Sequence, residues 1–461
     1  MIRSFLAAAL LLPCSAAAQD LTPAETARVE TIVTAALAKT GTPSASVAIV
    51  RGGRLVYAQA WGKASETLPA TAALPYQIAS NSKQFTAAAM LLLQRDGKLS
   101  LDDHVVKYLP GITGGDRITL RQLLSHTAGL QDYWPQDYAF AAMARPVTPQ
   151  AIVDRWARKP LDFAPGTQWQ YSNTGYVVAG LIVEKVAGEP LLAFLQRRIM
   201  TPLGIAAVDQ DLAVGPRYPV GYQRFALGPV RVERPAARGW LFAAGELAMS
   251  APDLAKWDIA RMNRALLDPA DWRAQETEVK LADGGGTGYG LGVDLGSRDG
   301  HRFVEHNGEA VGFLTENIVF PDDKVAVVVF TNADFGDAYA SIGRDVSRVV
   351  LASKAMTGEA AITAQARRVF DQLRAGTLDR SVMTANSNDY FTATALGDYR
   401  TSLRALGEPS SFVLAHPARL RGGFVNRVYS VTYPDRTLSI VTYAEPGERG
   451  RYEQFLVQPA N

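Results

Sequence analysis

Cysteine is almost missing from this sequence: its 461 residues hold one, Cys14, and that one lies within the first twenty. Beyond it no disulfide can form, so the fold rests on packing and owes nothing to an oxidising compartment. Histidine is scarce as well, with five in all. Charge of one sign is lacking too, since 47 basic residues are met by 45 acidic ones for a net +2. That balance gives no electrostatic footprint for nucleic acid and no polybasic surface for anionic lipid. Long apolar runs are absent. The longest, Phe5 to Leu12, falls far short of the roughly 20 residues that span a bilayer. What remains is a chain suited to a small-molecule or peptide substrate, with no motif for a cofactor.

The first residues read as an address. Arg3 supplies a positive start, residues 5–12 an apolar stretch, and Ala16-Ala17-Ala18 a small-residue cleavage site. This is the pattern of a secretory signal peptide over 1–18, cut after Ala18, and it implies a periplasmic or secreted protein. Pro13 stands where a small residue should precede a lipid-bearing cysteine, so Cys14 is read as part of the leader. After it, residues 23–40 have helical spacing, and 44–50 and 55–60 are β-type runs around Gly52-Gly53. Residues 80–93 form an apolar helix. From about 100 to 270, helices alternate with long loops rich in Pro, Gly, Trp and Tyr. The β signal returns at 289–294, 302–305, 314–320 and 325–331, and a helix at 338–351 closes the unit. Strands at both ends of a helical middle do not suit alternating βαβ units. They predict an α+β fold over 19–354: an antiparallel sheet flanked by helices, with an inserted helical region. Residues 355–461 read as a small separate α+β domain with helices at 359–375 and 389–406, then strands at 411–415, 426–433, 437–443 and 452–457.

Three short stretches could carry chemistry. Ser80-Asn81-Ser82-Lys83 opens the apolar run that continues from Phe85 to Leu93. A helix that is apolar all round is buried, and Lys83, three residues from Ser80 on the same face, goes in with it. Burial lowers the pKa of an ammonium, and a neutral amine beside a serine can take its proton and make it a nucleophile. The plain alternative is a capping serine and a solvated lysine, because Ser-x-x-Lys arises by chance about once in a chain of this length. Tyr171-Ser172-Asn173 precedes an apolar stretch at 176–186. A phenol held between cations ionises below its free value of about 10 and can act as a base. Asn173 offers a donor and an acceptor to a substrate amide or to the lysine. Alone, this stretch reads first as a loop tyrosine and a helix-capping asparagine.

His306-Asn307-Gly308 ends the run at 302–305. The histidine could donate to a carboxylate or carbonyl, and the glycine would let a substrate backbone lie close. His301 and Glu305 beside it prompt a metal reading, but the spacing fits no zinc-protease helix. Strand alternation also sends His301 and His306 to opposite faces, so no metal is expected.

In this order the three stretches resemble the serine β-lactamase and penicillin-binding-protein superfamily. More narrowly, they resemble the branch with class C β-lactamases, D-Ala-D-Ala carboxypeptidases, D-aminopeptidases and related esterases. The stretches Ile78 to Thr86, Leu123 to Leu130 and Asp253 to Trp257 are similar to that branch as well, so the resemblance spans roughly 25–350. It implies one cleft between the sheet and the helical region. In it Ser80 attacks, Lys83 and Tyr171 manage protons, and Asn173 orients the amide. His306 and Gly308 line the strand beside the substrate, and the N–H groups of Ser80 and Glu309 form the oxyanion hole. The activity implied is a serine hydrolase working through an acyl-enzyme on peptide, ester or amide carbonyls: a D-amino-acid peptidase, a carboxypeptidase-like enzyme or an esterase. The alternatives are a class C-like β-lactamase and a non-catalytic binding protein that keeps the fold.

Two departures bear on the substrate. Class C enzymes carry lysine where His306 stands, and a neutral histidine holds a carboxylate less well. Glu309 is a bulky acid where a small residue is common, and is expected to restrict the cleft or repel carboxylates. His126 is expected to hydrogen-bond in the core, and Ala244-Gly245, where relatives often have two glycines, to be scaffold variation.

Overall fold

The computed structural model describes residues 20–136, 138–351, 358–447 and 449–460; the leader expected over 1–18 and its cleavage point lie outside the described residues. Contacts divide the chain between Ala352 and Ser353 into two compact units.

The first unit opens on helix α1, Pro23–Thr40, started by a Thr22/Glu25 capping box and stopped by Gly41 at φ 76°. Strands β1, Ser44–Arg51, and β2, Arg54–Gly62, form the hairpin that Gly52-Gly53 announces. A helical insertion follows, with α2, Lys83–Arg95, α3, Asn173–Ala187, and α4, Ala251–Met262. The chain then returns to the sheet through β3, Asp294–Arg298, β4, His301–Ala310, β5, Phe313–Phe320, and β6, Val325–Thr331, and ends on α5, Ala338–Val350. The six strands are antiparallel in the order β2-β1-β6-β5-β4-β3. The two ends of the unit therefore pair directly, β1 against β6 from Ala45↔Thr331 to Arg51↔Val325. Alternation splits the sheet residues between two cores. Val47, Ile49, Val327 and Val329 pack with residues of α1 and α5, while Ala48, Val50, Val328 and Phe330 pack with the inserted helices. This is the α+β architecture that the sequence predicts.

Two strands differ from expectation. Residues 289–293 turn rather than extend, because Gly288 and Gly292 are left-handed (φ 67° and 76°) and a Cβ on Gly290 would stand 2.1 Å from the Gln275 carbonyl. The strand begins only at Asp294. The run expected at 302–305 continues to Ala310, so His306-Asn307-Gly308 lies within a strand and not at its end. Residues of low β propensity concealed that continuation.

Glu316 of β5 is buried, 6% exposed, on the α1/α5 face. Burial first, and then Glu305, push its pKa up to about 8. A carboxyl raised above its unfolded value contributes stability that is present below that value and lost as pH rises through the folded one. For Glu316→Gln we expect a gain in melting temperature that grows from near zero at pH 4 to about 5 °C at pH 9, read from thermal melts of both proteins.

The second unit has α6, Glu359–Ala375, α7, Ala385–Tyr390, and α8, Ala393–Arg404, before strands β7, Ser411–Arg421, β8, Phe424–Thr432, β9, Thr437–Ala444, and β10, Tyr452–Pro459. The strands form an antiparallel sheet in chain order over a core that includes Phe370, Leu373, Phe391, Tyr429, Ile440 and Phe455. The single helix expected at 389–406 is two, because the Thr392 side chain caps α8 by accepting from Ala395 N. The strand expected at 411–415 runs on past Pro417, with register shifts on either side of His416. It is an edge strand, where proline is tolerated. Among the described residues no helix is long and apolar enough to cross a membrane.

Candidate active site

Ser80 does not begin an α-helix. It sits in a 3-10 turn, Ala79–Ser82, that runs into α2 at Lys83. Ala79 has φ 50°, a left-handed conformation that costs an L-residue about 1–3 kcal/mol. The turn is clamped there by three hydrogen bonds. Asn81 Nδ2 donates to Thr315 Oγ1 (3.0 Å), Thr315 Oγ1 donates to the Ile78 carbonyl (3.1 Å), and Leu247 N donates to Ser82 Oγ (3.1 Å). Ser80 itself is half-buried between buried neighbours, an accessible hydroxyl on a fixed backbone.

Every residue from Lys83 to Leu93 is buried. Lys83 Nζ donates to Ser80 Oγ (2.9 Å), Asn173 Oδ1 (2.9 Å) and the Ala244 carbonyl (2.8 Å), which uses all three N–H groups of an ammonium. The rings of Tyr171 and Tyr176 lie 4.8 and 5.4 Å from the nitrogen. Burial lowers the Lys83 pKa to about 7, against the opposing pull of Asp132. Once neutral, the amine can keep two N–H bonds on Asn173 and Ala244 and turn its lone pair to Ser80. That is the arrangement needed to accept the serine proton.

Helix α3 is capped by Ser172, whose Oγ accepts from Gly175 N. The serine, not the asparagine, does the capping, and Asn173 is left to the site. Its Oδ1 accepts from Lys83, while its Nδ2 donates to Asp132 Oδ2 (3.2 Å) and its backbone N to Asp132 Oδ1 (3.0 Å). A carboxylate only accepts, so Asp132 dictates that the carboxamide turns its NH2 toward the acid and its oxygen toward Lys83. The Asp132 carboxylate also accepts from Trp134 N. Asp132 escaped the sequence reading because it is a lone aspartate with no motif of its own. Ala244 escaped because its contribution is a backbone carbonyl, which no side chain advertises.

Tyr171 lies within hydrogen-bonding reach of Ser80, but burial pushes its pKa well above the ordinary phenol range, and Asp132, Asp294 and Glu309 act in the same direction. The expectation that cations would ionise it is therefore reversed. Lys83 lies 4.8 Å from its ring, but burial and the acids set the direction, so Tyr171 remains a protonated phenol. His126, buried at φ 59°, accepts from Ser172 N through Nδ1 (3.1 Å) and packs its ring 4.2 Å from that of Tyr171. It fills the core position expected of it and braces the tyrosine.

His306 departs from its expected role. It is 2% exposed, and its Nδ1 bonds the Asn307 carbonyl, which can only accept. Nδ1 therefore carries the proton, and Nε2, 2.9 Å from the Tyr289 hydroxyl, accepts. Burial and then Lys83 lower its pKa to about 3. The ring is neutral, with both nitrogens engaged inside the protein, and offers no donor to a substrate carboxylate. His301 is spent elsewhere, on Asp323 (2.8 Å).

Gly308 is also needed for packing within the protein. A Cβ there would meet the Ile78 carbonyl at 2.3 Å and Thr315 Oγ1 at 2.4 Å. The glycine lets β4 press against the turn that carries Ser80, and the backbone of Glu309 follows beside it. The Glu309 side chain is exposed, and its charge is felt by both Tyr171 and Tyr339.

The site thus brings together Ser80, Lys83, Tyr171 and Asn173, with β4 alongside. Residues 29–352 match the family model described as Beta-lactamase. Penicillin-binding protein 4* of Bacillus subtilis (strain 168) is 29% identical over 313 residues, covering 64% of this chain and 69% of the relative. A putative D-alanyl-D-alanine carboxypeptidase of Escherichia coli (strain K12) is 32% identical over 188 residues, 36% of this chain and 42% of the relative. Among solved structures, a D-stereospecific amidohydrolase from Streptomyces sp. superposes with TM-score 0.61 at 28% identity, covering 71% of this chain and 99% of that one. The octameric penicillin-binding protein homologue from Pyrococcus abyssi shares the fold across both units, with TM-score 0.61 at 20% identity over 94% of this chain and 99% of that one. The chain belongs to the Beta-lactamase family of serine hydrolases, in the class C-like branch whose members here include penicillin-binding proteins and D-Ala-D-Ala carboxypeptidases.

Proposed function

We propose that this protein is a serine acyl hydrolase, an amidase, aminopeptidase or esterase, for acyl donors that carry no free carboxylate near the scissile bond. The observation that carries the reading is Lys83: a fully buried amine, 2.9 Å from Ser80 Oγ, with its pKa brought down to about 7. Ser80 Oγ gives its proton to neutral Lys83 and bonds to the carbonyl carbon. The N–H groups of Ser80 and Glu309 receive the developing oxyanion. As the C–N or C–O bond breaks, the protonated Tyr171 donates to the leaving group and is reprotonated from Lys83, and water then releases the acyl group by the reverse path. Pairing of β3 with β4 stops at Glu305, which leaves 306–310 an edge where an extended substrate can align as a strand.

The electrostatics support the substrate class. Lys83 has its donors occupied, His306 is neutral, and Asp132, Asp294 and Glu309 all act on Tyr171. A substrate carboxylate would meet acids and no free cation among the described site residues, whereas an amide, an ester or an α-ammonium is tolerated. Similarity to the D-stereospecific amidohydrolase points to D-configured acyl groups. The test is a panel of D-amino-acid amides, p-nitrophenyl esters, an acyl-D-Ala-D-Ala peptide and a chromogenic cephalosporin. kcat/KM for the best amide or ester is expected to exceed that for the two carboxylate-bearing substrates by about 100-fold, the scale of a lost charge pair in a buried site. Faster turnover of the cephalosporin would make the protein a β-lactamase, and failure of every substrate to acylate it would leave a binding protein.

A further inference from the structure

Beside the Val311-Gly312 turn that joins β4 and β5 stands a small hairpin of the inserted region, whose strands are Tyr222–Gln223 and Arg231–Val232. Its base is tied down by Tyr222 N to the Asn332 carbonyl and Asp334 N to the Tyr222 carbonyl, and Gly221 packs against Gly312 so tightly that a Cβ would stand 2.8 Å from it. Its tip reads Phe225-Ala226-Leu227-Gly228, and the tip is turned outward: Phe225 is 68% exposed and Leu227 97%. Val232, on the second strand, is exposed as well. A soluble surface seldom places two large apolar side chains one residue apart on a projecting turn. Along the sequence here the charge is one-sided, although Glu66 and Asp334 lie by the hairpin's base at Tyr222 and Arg238 acts on Asp211. From 224 to 238 there are four arginines, Arg224, Arg231, Arg234 and Arg238, against one acid, Glu233, in a chain balanced overall at 47 to 45. Arg231, Arg234 and Arg238 are exposed and form no ion pair among the described residues, while Arg224 is held by the Thr40 carbonyl and the Phe335 ring.

We propose that this hairpin docks on an anionic lipid surface, with Phe225 and Leu227 entering the headgroup–acyl boundary and the arginines meeting lipid phosphates. Apolar tips ringed by arginine suit that interface, where both terms add. The even charge of the whole sequence conceals the patch, because it averages over a segment with four arginines and one acid. A second copy of the chain fits less well: in a two-fold contact the same surface meets itself, which would set Arg231, Arg234 and Arg238 against their own copies. Since the hairpin rises beside the end of β4, docking would hold that end of the cleft at the membrane. The inference does not depend on the proposed activity.

The test uses the full chain and sedimentation with phosphatidylglycerol/phosphatidylcholine vesicles, pure phosphatidylcholine vesicles, and 0.5 M salt. The protein is expected to sediment with the anionic vesicles at low salt, at least fivefold more than with neutral ones. F225S/L227S and R231E/R234E should each reduce that binding at least fivefold without changing the far-ultraviolet dichroism or the hydrolysis of a soluble ester. Absence of binding to the anionic vesicles, or binding by either variant equal to that of the wild type, overturns the proposal. So does a concentration-dependent dimer in light scattering that F225S/L227S abolishes, which would assign the patch to self-association.

Discussion

Replacing Lys83 by methionine should slow acylation of Ser80 by about 10³- to 10⁴-fold, because the substitution removes a positioned general base and leaves an ordinary serine hydroxyl. Methionine is close to lysine in length and apolar, so the buried slot stays filled. Two acceptors, Asn173 Oδ1 and the Ala244 carbonyl, lose their donor, and each unmet buried acceptor costs about 1–3 kcal/mol. Against this stands relief from burying an ammonium, so the folded protein should survive. The pH profile separates base catalysis from damage. In the wild type the rate should rise with pH through about 7, as Lys83 loses its proton. The residual rate of Lys83→Met should show no limb there. Initial rates of p-nitrophenyl ester hydrolysis between pH 5 and 9 read both.

Asp132→Asn should lower kcat by about 100-fold with little change in KM, the loss expected when the geometry around a base is disturbed without removing it. Asp132 accepts from Asn173 N, Asn173 Nδ2 and Trp134 N. An asparagine there can turn its own NH2 toward Asn173, which frees the Asn173 carboxamide to flip and present donors to Lys83, itself a donor. The same substitution removes the nearest anion that favours the charged lysine. Lys83 should therefore lose its proton more easily, and the acid limb of the rate profile should move below its wild-type position. A simple packing defect would lower the rate without moving the limb. His126, His306, Tyr171 and Tyr176 also face Lys83, and the substitution leaves them in place.

Much of the architecture was legible because the strands and helices that build it are strongly patterned. Residues 23–40 and the hairpin around Gly52-Gly53 fall where periodicity and turn chemistry put them. So does the pairing of the first strands with the last, implied by sheet signals on both sides of a helical insert. What the pattern could not show was carried by residues of mixed propensity. The polar run His306 to Glu309 looked like a turn after the strand and belongs to its second half, because the neighbouring strand β5 supplies the pairing. At the site, Ser80 and Lys83 were legible from an apolar helix that forces a lysine inside. Their partners were less so. Tyr171 was expected as an ionised base and is a protonated phenol, since burial and the acids set the direction. Gly308, read from sequence as a place for substrate to lie close, also admits the Ser80 turn. Asp132 and the Ala244 carbonyl reach the site only through the fold, across 41 residues in one case and 161 in the other.

The central claim is that Ser80, made nucleophilic by a neutral Lys83, forms the acyl-enzyme. Intact-protein mass spectrometry with peptide mapping, after exposure to a p-nitrophenyl ester or a fluorophosphonate at pH 8, tests it most directly. The expected result is one adduct on the peptide containing Ser80, formed more slowly at pH 6 and absent from Ser80→Ala. An adduct on another residue, or an unchanged mass in the folded wild-type protein, would contradict it.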